Sequence, residues 1–360
     1  MIYRNFKKLF SSIKEIIPNK QNKLTKQNKP VSESNYNHKI LNGIKLANKI
    51  RKTLIDEIER INNISQYHKN SIPTLKIIFI GDKLDSQIYI DNKIRVCNKI
   101  GVKVILTRFD SNITEENIYK EIDTSNKDES IHGIIIQLPF PGHLSSTKLL
   151  ERVDITKDVD CLNPNNIGLL IQNPLNNKTL IPPTAYAVLE LLRLATIFDN
   201  NIINYMKDFK ESPLDNHILD LSNKDVSVLG RGMTAGFPIS LLLLKCHANL
   251  SVYHSKSGDV KHKVSNSDII ISAVGIRPNL IDEYYIKKDS IVIDVGMNIV
   301  CKEDKNEITG DIYFDNVINK VKFITPMPGG VGRITVLMLI RNVIKSWSKG
   351  VVVDTNLNLH

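Results

Sequence analysis

Short β-branched runs alternate with segments whose apolar residues recur every three or four positions, and this alternation runs through most of the 360-residue chain. Such an order confines the chain to an α/β architecture with a mainly parallel sheet. In the first half, Leu46, Ile50, Leu54, Ile55, Ile58 and Ile61 mark an amphipathic helix. Residues 75–80 read as a strand ending at Gly81, 86–100 as a helix closed by Gly101, 102–106 as a strand, 113–122 as a helix, and 133–138 as a strand stopped by Pro139 and Pro141. The second half repeats the theme. Residues 186–194 and 237–244 read as helices, 225–229, 250–253, 268–273 and 291–295 as strands, and about 334–348 as a final helix. The polar stretch 195–224 reads as an inserted surface loop. A chain of this length suggests two domains.

Charge narrows the function classes. The net charge is +10, but eight lysine and arginine residues against two glutamates place +6 of it in residues 1–38. The remaining body is only mildly basic, which argues against nucleic acid as a partner. Within the basic start, Ile2, Phe6, Leu9, Phe10, Ile13, Ile16 and Ile17 fall near helical spacing with Lys7, Lys8 and Lys14 between them. A positively charged amphipathic segment of this kind reads as an organelle-import sequence, mitochondrial or plastid; a lysine- and asparagine-rich tail on a cytoplasmic protein is the plainer alternative. No apolar run is long enough to span a bilayer, so no membrane association is expected. Cys97, Cys161, Cys246 and Cys301 stand singly, with no C-x-x-C and no histidine at ligand spacing. No metal site and a reducing compartment are expected.

Two glycine-bearing segments follow apolar runs. Val228-Leu229-Gly230-Arg231-Gly232-Met233-Thr234-Ala235-Gly236 reads strand, turn, helix, with the spacing G-x-G-x-x-x-G, a relative of the dinucleotide fingerprint. Small residues there let a pyrophosphate approach the backbone, and a helix N-terminus supplies N–H donors. Chance glycines are the bland reading, but the next strand adds context. It ends in His254-Ser255-Lys256, where an NAD site wants a carboxylate for the ribose 2′-hydroxyl. A hydroxyl and a cation, together with Arg231, suit a 2′-phosphate instead. This favours NADP, with NAD as the alternative. The other segment, Pro326-Met327-Pro328-Gly329-Gly330-Val331-Gly332, has two prolines and three glycines in seven residues. It is either a rigid ligand-binding loop running into a helix or a plain turn.

Tyr89 and Lys93 stand four apart on a predicted helix and share a face, where a phenol beside an ammonium can serve a proton relay. Two exposed flank residues are the simpler account. Gln137 ends a predicted strand, where polar groups of parallel sheets face a ligand crevice. Lys157-Asp158-Val159-Asp160 follows; a carboxylate there can clamp the amino-pyrimidinone edge of a bicyclic ring, or belong to an acidic turn.

In this order the motifs resemble those of the bifunctional methylenetetrahydrofolate dehydrogenase/methenyltetrahydrofolate cyclohydrolase family. The resemblance covers about residues 40–348. It rests on Gly81-Asp82, Ser86-Gln87-Ile88-Tyr89 with Lys93, His132-Gly133-Ile134-Ile135-Ile136-Gln137-Leu138-Pro139, Lys157-Asp158-Val159-Asp160 and Asn166-Ile167-Gly168. In the second half it rests on Gly230-Arg231, His254-Ser255, Ala273-Val274-Gly275, Ile293-Asp294-Val295-Gly296, Gly310-Asp311 and Pro328-Gly329-Gly330-Val331-Gly332. The resemblance implies a folate-binding catalytic domain over 39–180, a Rossmann-like NADP-binding domain over 181–333, and a last helix, 334–350, that packs back on the first. It implies a homodimer acting on tetrahydrofolate derivatives in one-carbon metabolism. By similarity Lys93 is the catalytic lysine, Tyr89 stacks on the substrate and assists, Gln137 positions Lys93, and Asp160 holds the pterin. Pro328, Gly329 and Gly330 would line the folate cleft. Gly230, Arg231, Gly232, Gly236, His254, Ser255, Gly275 and Thr335 would meet the cofactor.

The chain also departs from the family pattern. Cys161 replaces a glycine after Asp160; if that position needs φ > 0, a side chain strains the loop that aims Asp160. Pro183-Thr184-Ala185-Tyr186-Ala187 stands where P-C-T-P-x-G is usual, Gly232 replaces a serine, and Arg333 replaces the proline that opens the last helix. These departures leave two alternatives open, a dehydrogenase-only member and a non-catalytic relative that binds folate or NADP.

Overall fold

A computed structural model describes residues 36–64, 71–172, 179–199, 219–302 and 305–348. The basic segment 1–35 and most of the predicted insertion, 200–218, lie outside the described residues.

Two parallel sheets organise the chain. Helix α1 (Gly43–Ile64) precedes strand β1 (Thr74–Ile80) and turns Leu46, Ile50, Leu54, Ile58 and Ile61 inward, as its periodicity predicts. Helix α2 (Leu84–Ile100), β2 (Lys103–Phe109), α3 (Glu115–Lys127) and β3 (Gly133–Ile136) follow. Their sheet has the order β2-β1-β3, so β1 has a neighbour on each side and a crevice opens beyond its C-terminal end. Gly101 closes α2 in the left-handed region at φ 94°, and its N–H bonds Cys97 O. All seven residues of β1 are buried, and it shows no polar/apolar alternation: Ile77–Ile80 is a continuous apolar run, and the buried Lys76 pairs with Glu121 at 2.5 Å.

Two short helices, α4 (Ser146–Glu151) and α5 (Pro164–Gln172), lead to α6 (Pro183–Asp199). This helix is longer than the predicted 186–194. It starts at Pro183, a residue suited to the first helical turn, and continues past buried Ala195 into the expected loop. Residues 195–199 are therefore helix, and the insertion begins later than predicted.

The second sheet comprises β4 (Asp225–Leu229), β5 (Asn249–Tyr253), β6 (Ile269–Ser272), β7 (Ile291–Asp294) and, after the hairpin β8 (Asn298–Lys302)–β9 (Lys305–Thr309), β10 (Phe323–Ile324). Its order, β10-β7-β6-β4-β5, is parallel throughout. Helix α7 (Gly236–Lys245) joins β4 to β5. The hairpin was not legible in the sequence, because its alternating residues interrupt no apolar run. Lys39 and Leu41 bond to Ile324, so the chain crosses the edge of the second sheet before entering α1.

Helix α8 (Val331–Trp347) starts three residues before the predicted 334. Val331, Gly332 and Arg333 form its first turn, after Gly330 as its N-cap. It packs against α6, α1, α2, β1 and β3. Ile334, Leu337, Met338, Leu339, Ile340, Val343, Ile344 and Trp347 are buried along it. At about 1.5–3 kcal/mol for each large apolar side chain removed from water, this helix is a principal source of cohesion in the first layer.

Candidate active site

A cavity of about 760 Å³ opens between the two sheets at the C-terminal ends of their strands. Helix α2 lines it with Ser86, Tyr89 and Lys93, residues three and four apart on one face. From β3, Gln137 reaches in just before Pro139, and Lys93 Nζ donates to Gln137 Oε1 at 2.9 Å. The amide is oriented by its other end, since Gln137 Nε2 donates to Leu138 O at 2.8 Å. Asp160 is half-buried in the same cavity. Across the cleft, the Tyr89 hydroxyl donates to the sulfur of Met297.

The Asp160 loop is held from three sides. Lys157 Nζ donates to the carbonyls of Ser125, Asn126 and Asp128, capping the end of α3. Asp158 is buried and accepts from Leu162 N, Asn163 N and Asn166 Nδ2. Burial nevertheless pushes its carboxyl up to about 6. From α8, Asn342 Nδ2 donates to Val159 O and Ile181 O, both at 2.8 Å, and lies 3.8 Å from Cys161 Sγ. Cys161 has φ 56° and is fully buried, so the departure from glycine does fall at a left-handed position. Burial also holds its thiol well above the usual range.

The second sheet offers a dinucleotide cradle. Gly230 has φ 106°, and a Cβ there would collide with Ala273 O; one at Gly236 would collide with Gly230 O. Gly230 N bonds Tyr253 O, and Ala273 N bonds Leu229 O. The turn is thus a backbone-walled hollow leading into the N-terminus of α7, which fits a pyrophosphate. Arg231, Ser255 and Lys256 are exposed beside it, and His254 Nδ1 accepts from Lys256 N. These polar groups fit a 2′-phosphate. Among the described residues no cluster of histidine, cysteine or acidic side chains could hold a metal ion.

The predicted residues fall into two groups. Tyr89, Lys93, Gln137, Asp160, Gly275 and Thr335 share the cavity. Gly230, Arg231, Gly232, Gly236, His254 and Ser255 form the glycine turn and the end of β5, outside its lining. Pro328, Gly329 and Gly330 do not line it either, although Met327 and Val331 on each side do. The carbonyls of Gly329 and Gly330 would lie 2.6 Å from a Cβ on Gly43, so this segment packs its backbone against α1 instead. Thr335 Oγ1 donates to Val331 O. Arg333 is exposed and absent from the lining. Ser86, Thr184, Met297 and Asn298 also line the cavity but drew no site role from the sequence. Ser86 was within reach of it, standing three residues before Tyr89.

Two family models match the chain, the catalytic domain of tetrahydrofolate dehydrogenase/cyclohydrolase over residues 41–160 and its NAD(P)-binding domain over 212–351. The chain belongs to the tetrahydrofolate dehydrogenase/cyclohydrolase family. Among relatives of the family, the bifunctional protein FolD of Hydrogenobaculum sp. is 33% identical over 310 residues, covering 86% of this chain and 99% of that protein. The solved FolD methylenetetrahydrofolate dehydrogenase/cyclohydrolase of Campylobacter jejuni superposes with a TM-score of 0.74 at 32% identity, covering 86% of this chain and 98% of that one. The Trypanosoma brucei enzyme, solved with NADP and an inhibitor, gives 0.75 at 32% identity, with 86% and 96% covered. The two-domain α/β fold expected from the sequence is the fold of this family.

Proposed function

We propose that the protein oxidises 5,10-methylenetetrahydrofolate to 5,10-methenyltetrahydrofolate with NADP and hydrolyses that product to 10-formyltetrahydrofolate in the same cleft. The observation that carries this reading is the Lys93–Gln137 bond, made in a cavity that also contains Tyr89 and Asp160 and reaches the second sheet. NADP, when bound, accepts a hydride from the methylene carbon. The Gly230 turn would hold its pyrophosphate, and Arg231 and Ser255 its 2′-phosphate.

In the first step the protein has no proton to remove; it aligns the folate and supports a developing cation. Asp160 accepts hydrogen bonds from the amino-pyrimidinone edge of the pterin, and Tyr89 stacks against the ring. In the second step water adds to the cationic methenyl carbon and Lys93 takes one of its protons; the bond from that carbon to N5 then breaks as N5 takes up the other, leaving the formyl group on N10. Gln137 keeps the Lys93 amine aimed at the attacking water. One base in one cavity thereby serves a two-step sequence.

The experiment is to mix the full chain with 5,10-methylenetetrahydrofolate and NADP or NAD, following NADPH and methenyl absorbance together, and to supply methenyltetrahydrofolate separately. NADPH formation with methenyl decay above the buffer rate is the expected result. NADPH with methenyl accumulation would instead support a dehydrogenase-only enzyme, the reading favoured by the left-handed Cys161 beside Asp160. A folded protein with no turnover would overturn both.

The protein also acts, in our reading, as a homodimer in an organelle. The homodimer follows from the family resemblance, and light scattering on the purified chain tests it. Import is supported by the basic, apolar-periodic pattern of residues 1–38. Localisation of a fluorescent fusion with and without that segment tests it.

A further inference from the structure

Two buried carboxylates lie beneath the side of the cavity formed by the second sheet. Asp311, fully buried after the β8–β9 hairpin, accepts from Ser272 Oγ at 2.8 Å, Val274 N at 2.8 Å, Gly275 N at 3.0 Å and Asn298 Nδ2 at 3.0 Å. Asp294, at the end of β7, accepts from Gly296 N at 3.0 Å, Asp311 N at 3.1 Å and Ile312 N at 3.0 Å. One carboxylate therefore holds the other through its peptide. The neighbouring glycines make room for them: a Cβ on Gly296 would strike the Asp311 carboxylate, and one on Gly310 would strike that of Asp294. Among the described residues neither carboxylate enters a salt bridge; backbone and neutral side-chain donors surround both.

What these bonds hold is the wall of the cavity. Gly275, with φ 62°, Asp294, Met297 and Asn298 all line it. Ser272 ends β6, Ala273 N still bonds Leu229 O, and beyond it the chain has left the ladder, so the N–H groups of Val274 and Gly275 have no strand partner. Asp311 supplies that partner for both. We infer that Asp311 is a positioning residue for the dehydrogenase step: its carboxylate fixes the Val274–Gly275 turn as the cofactor side of the cavity, with Asp294 holding Asp311 in place. This rests on the proposed dehydrogenase activity. Hydride transfer is sensitive to small misplacement of the two reactants, whereas hydrolysis depends on Lys93 and Gln137, which belong to the other sheet.

The test is Asp311→Asn in the full chain. The amide keeps the size of the carboxylate but turns an NH2 group toward donors that need an acceptor. The expected result is a fall of about 30-fold in dehydrogenase kcat, with NADP affinity by calorimetry weakened about tenfold. Hydrolysis of methenyltetrahydrofolate without cofactor should stay within about threefold, and the kinetic isotope effect with a deuterated methylene carbon should rise. If the asparagine variant does not fold, Ser272→Ala removes one donor from Asp311 and should lower dehydrogenase kcat about threefold with hydrolysis unchanged. An unchanged ratio of the two activities in the variant that folds overturns the inference, as does a parallel loss of both. A wild-type chain that hydrolyses but never reduces NADP would overturn the underlying reading, a result separate from the variant's.

Discussion

Lys93 meets Gln137 across two elements, with Nζ 2.9 Å from Oε1, because the other end of the amide is engaged by Leu138 O. The neutral acceptor aims the amine without pairing it to a negative charge. Replacing Gln137 by glutamate keeps the side chain's length but gives up the bond to Leu138 O, and adds a carboxylate that favours the ammonium form. Cyclohydrolase activity is expected to fall about 100-fold or more in Gln137→Glu, and hydride transfer much less. Lys93→Ala should abolish hydrolysis while NADP binding persists. Hydrolysis above the spontaneous rate in Lys93→Ala would remove Lys93 from its role.

Cys161 occupies a left-handed backbone conformation next to Asp160. A β-branched residue is far less tolerant of φ > 0 than glycine or an unbranched side chain. Cys161→Val is therefore expected to cost about 2 kcal/mol or more and to raise the KM for folate, while Cys161→Gly stays within about 1 kcal/mol of wild type. Urea unfolding of the two variants, with KM values alongside, makes the comparison; equal stability would mean the loop does not enforce that backbone.

The two glycines of the turn after β4 should respond in opposite ways. A Cβ at Gly230 meets Ala273 O, whereas nothing lies within 4 Å of one at Gly232. Gly230→Ala is expected to lose NADP binding and to destabilise the fold by about 1–3 kcal/mol. Gly232→Ser should fold normally and bind NADP a few-fold more tightly, since it returns a hydroxyl near the phosphates. Titration with NADP distinguishes them. For Ser255→Ala, weaker NADP binding with NAD less affected is expected, and equal loss for both would exclude a 2′-phosphate role.

Asp158 gives a pH signature of defined sign. Its folded value of about 6 lies above the ordinary 3.8, so between those limits the folded chain binds the extra proton. Its contribution to stability is full below about 4 and declines as pH rises through 6, by up to about 1.4 kcal/mol per pH unit. Asp158→Asn should be less stable at low pH and should flatten that decline. Urea midpoints measured from pH 4 to 7 report it; a slope identical to wild type would assign the effect to other groups, such as Asp294, whose carboxyl burial pushes up to about 7.

Much of this architecture was legible because buried parallel strands write themselves as apolar runs. The strand 74–80 and helix 84–100 came within two residues of their observed ends, and the spacing of Tyr89 and Lys93 placed both on one face. The meeting of Lys93 with Gln137 was not readable from periodicity, since 44 residues separate them and only sheet order brings them together. Motif resemblance supplied it. Met297 and Asn298 were missed for a similar reason: they line the cavity only because β7 ends beside β6. Asp294 and Asp311 stood in quoted motifs without a role, because a sequence does not say which donors a buried carboxylate gathers.

The bonds from Asn342 have a consequence for biosynthesis. Val159, Ile181 and the Cys161 turn are complete as polymer more than 150 residues before Asn342 leaves the ribosome. Until then the pterin-binding loop has no latch, and the apolar faces of α1 and α6 that receive α8 stay open to water. A nascent chain of this design can form most of both sheets early, yet those apolar faces stay uncovered until α8 docks.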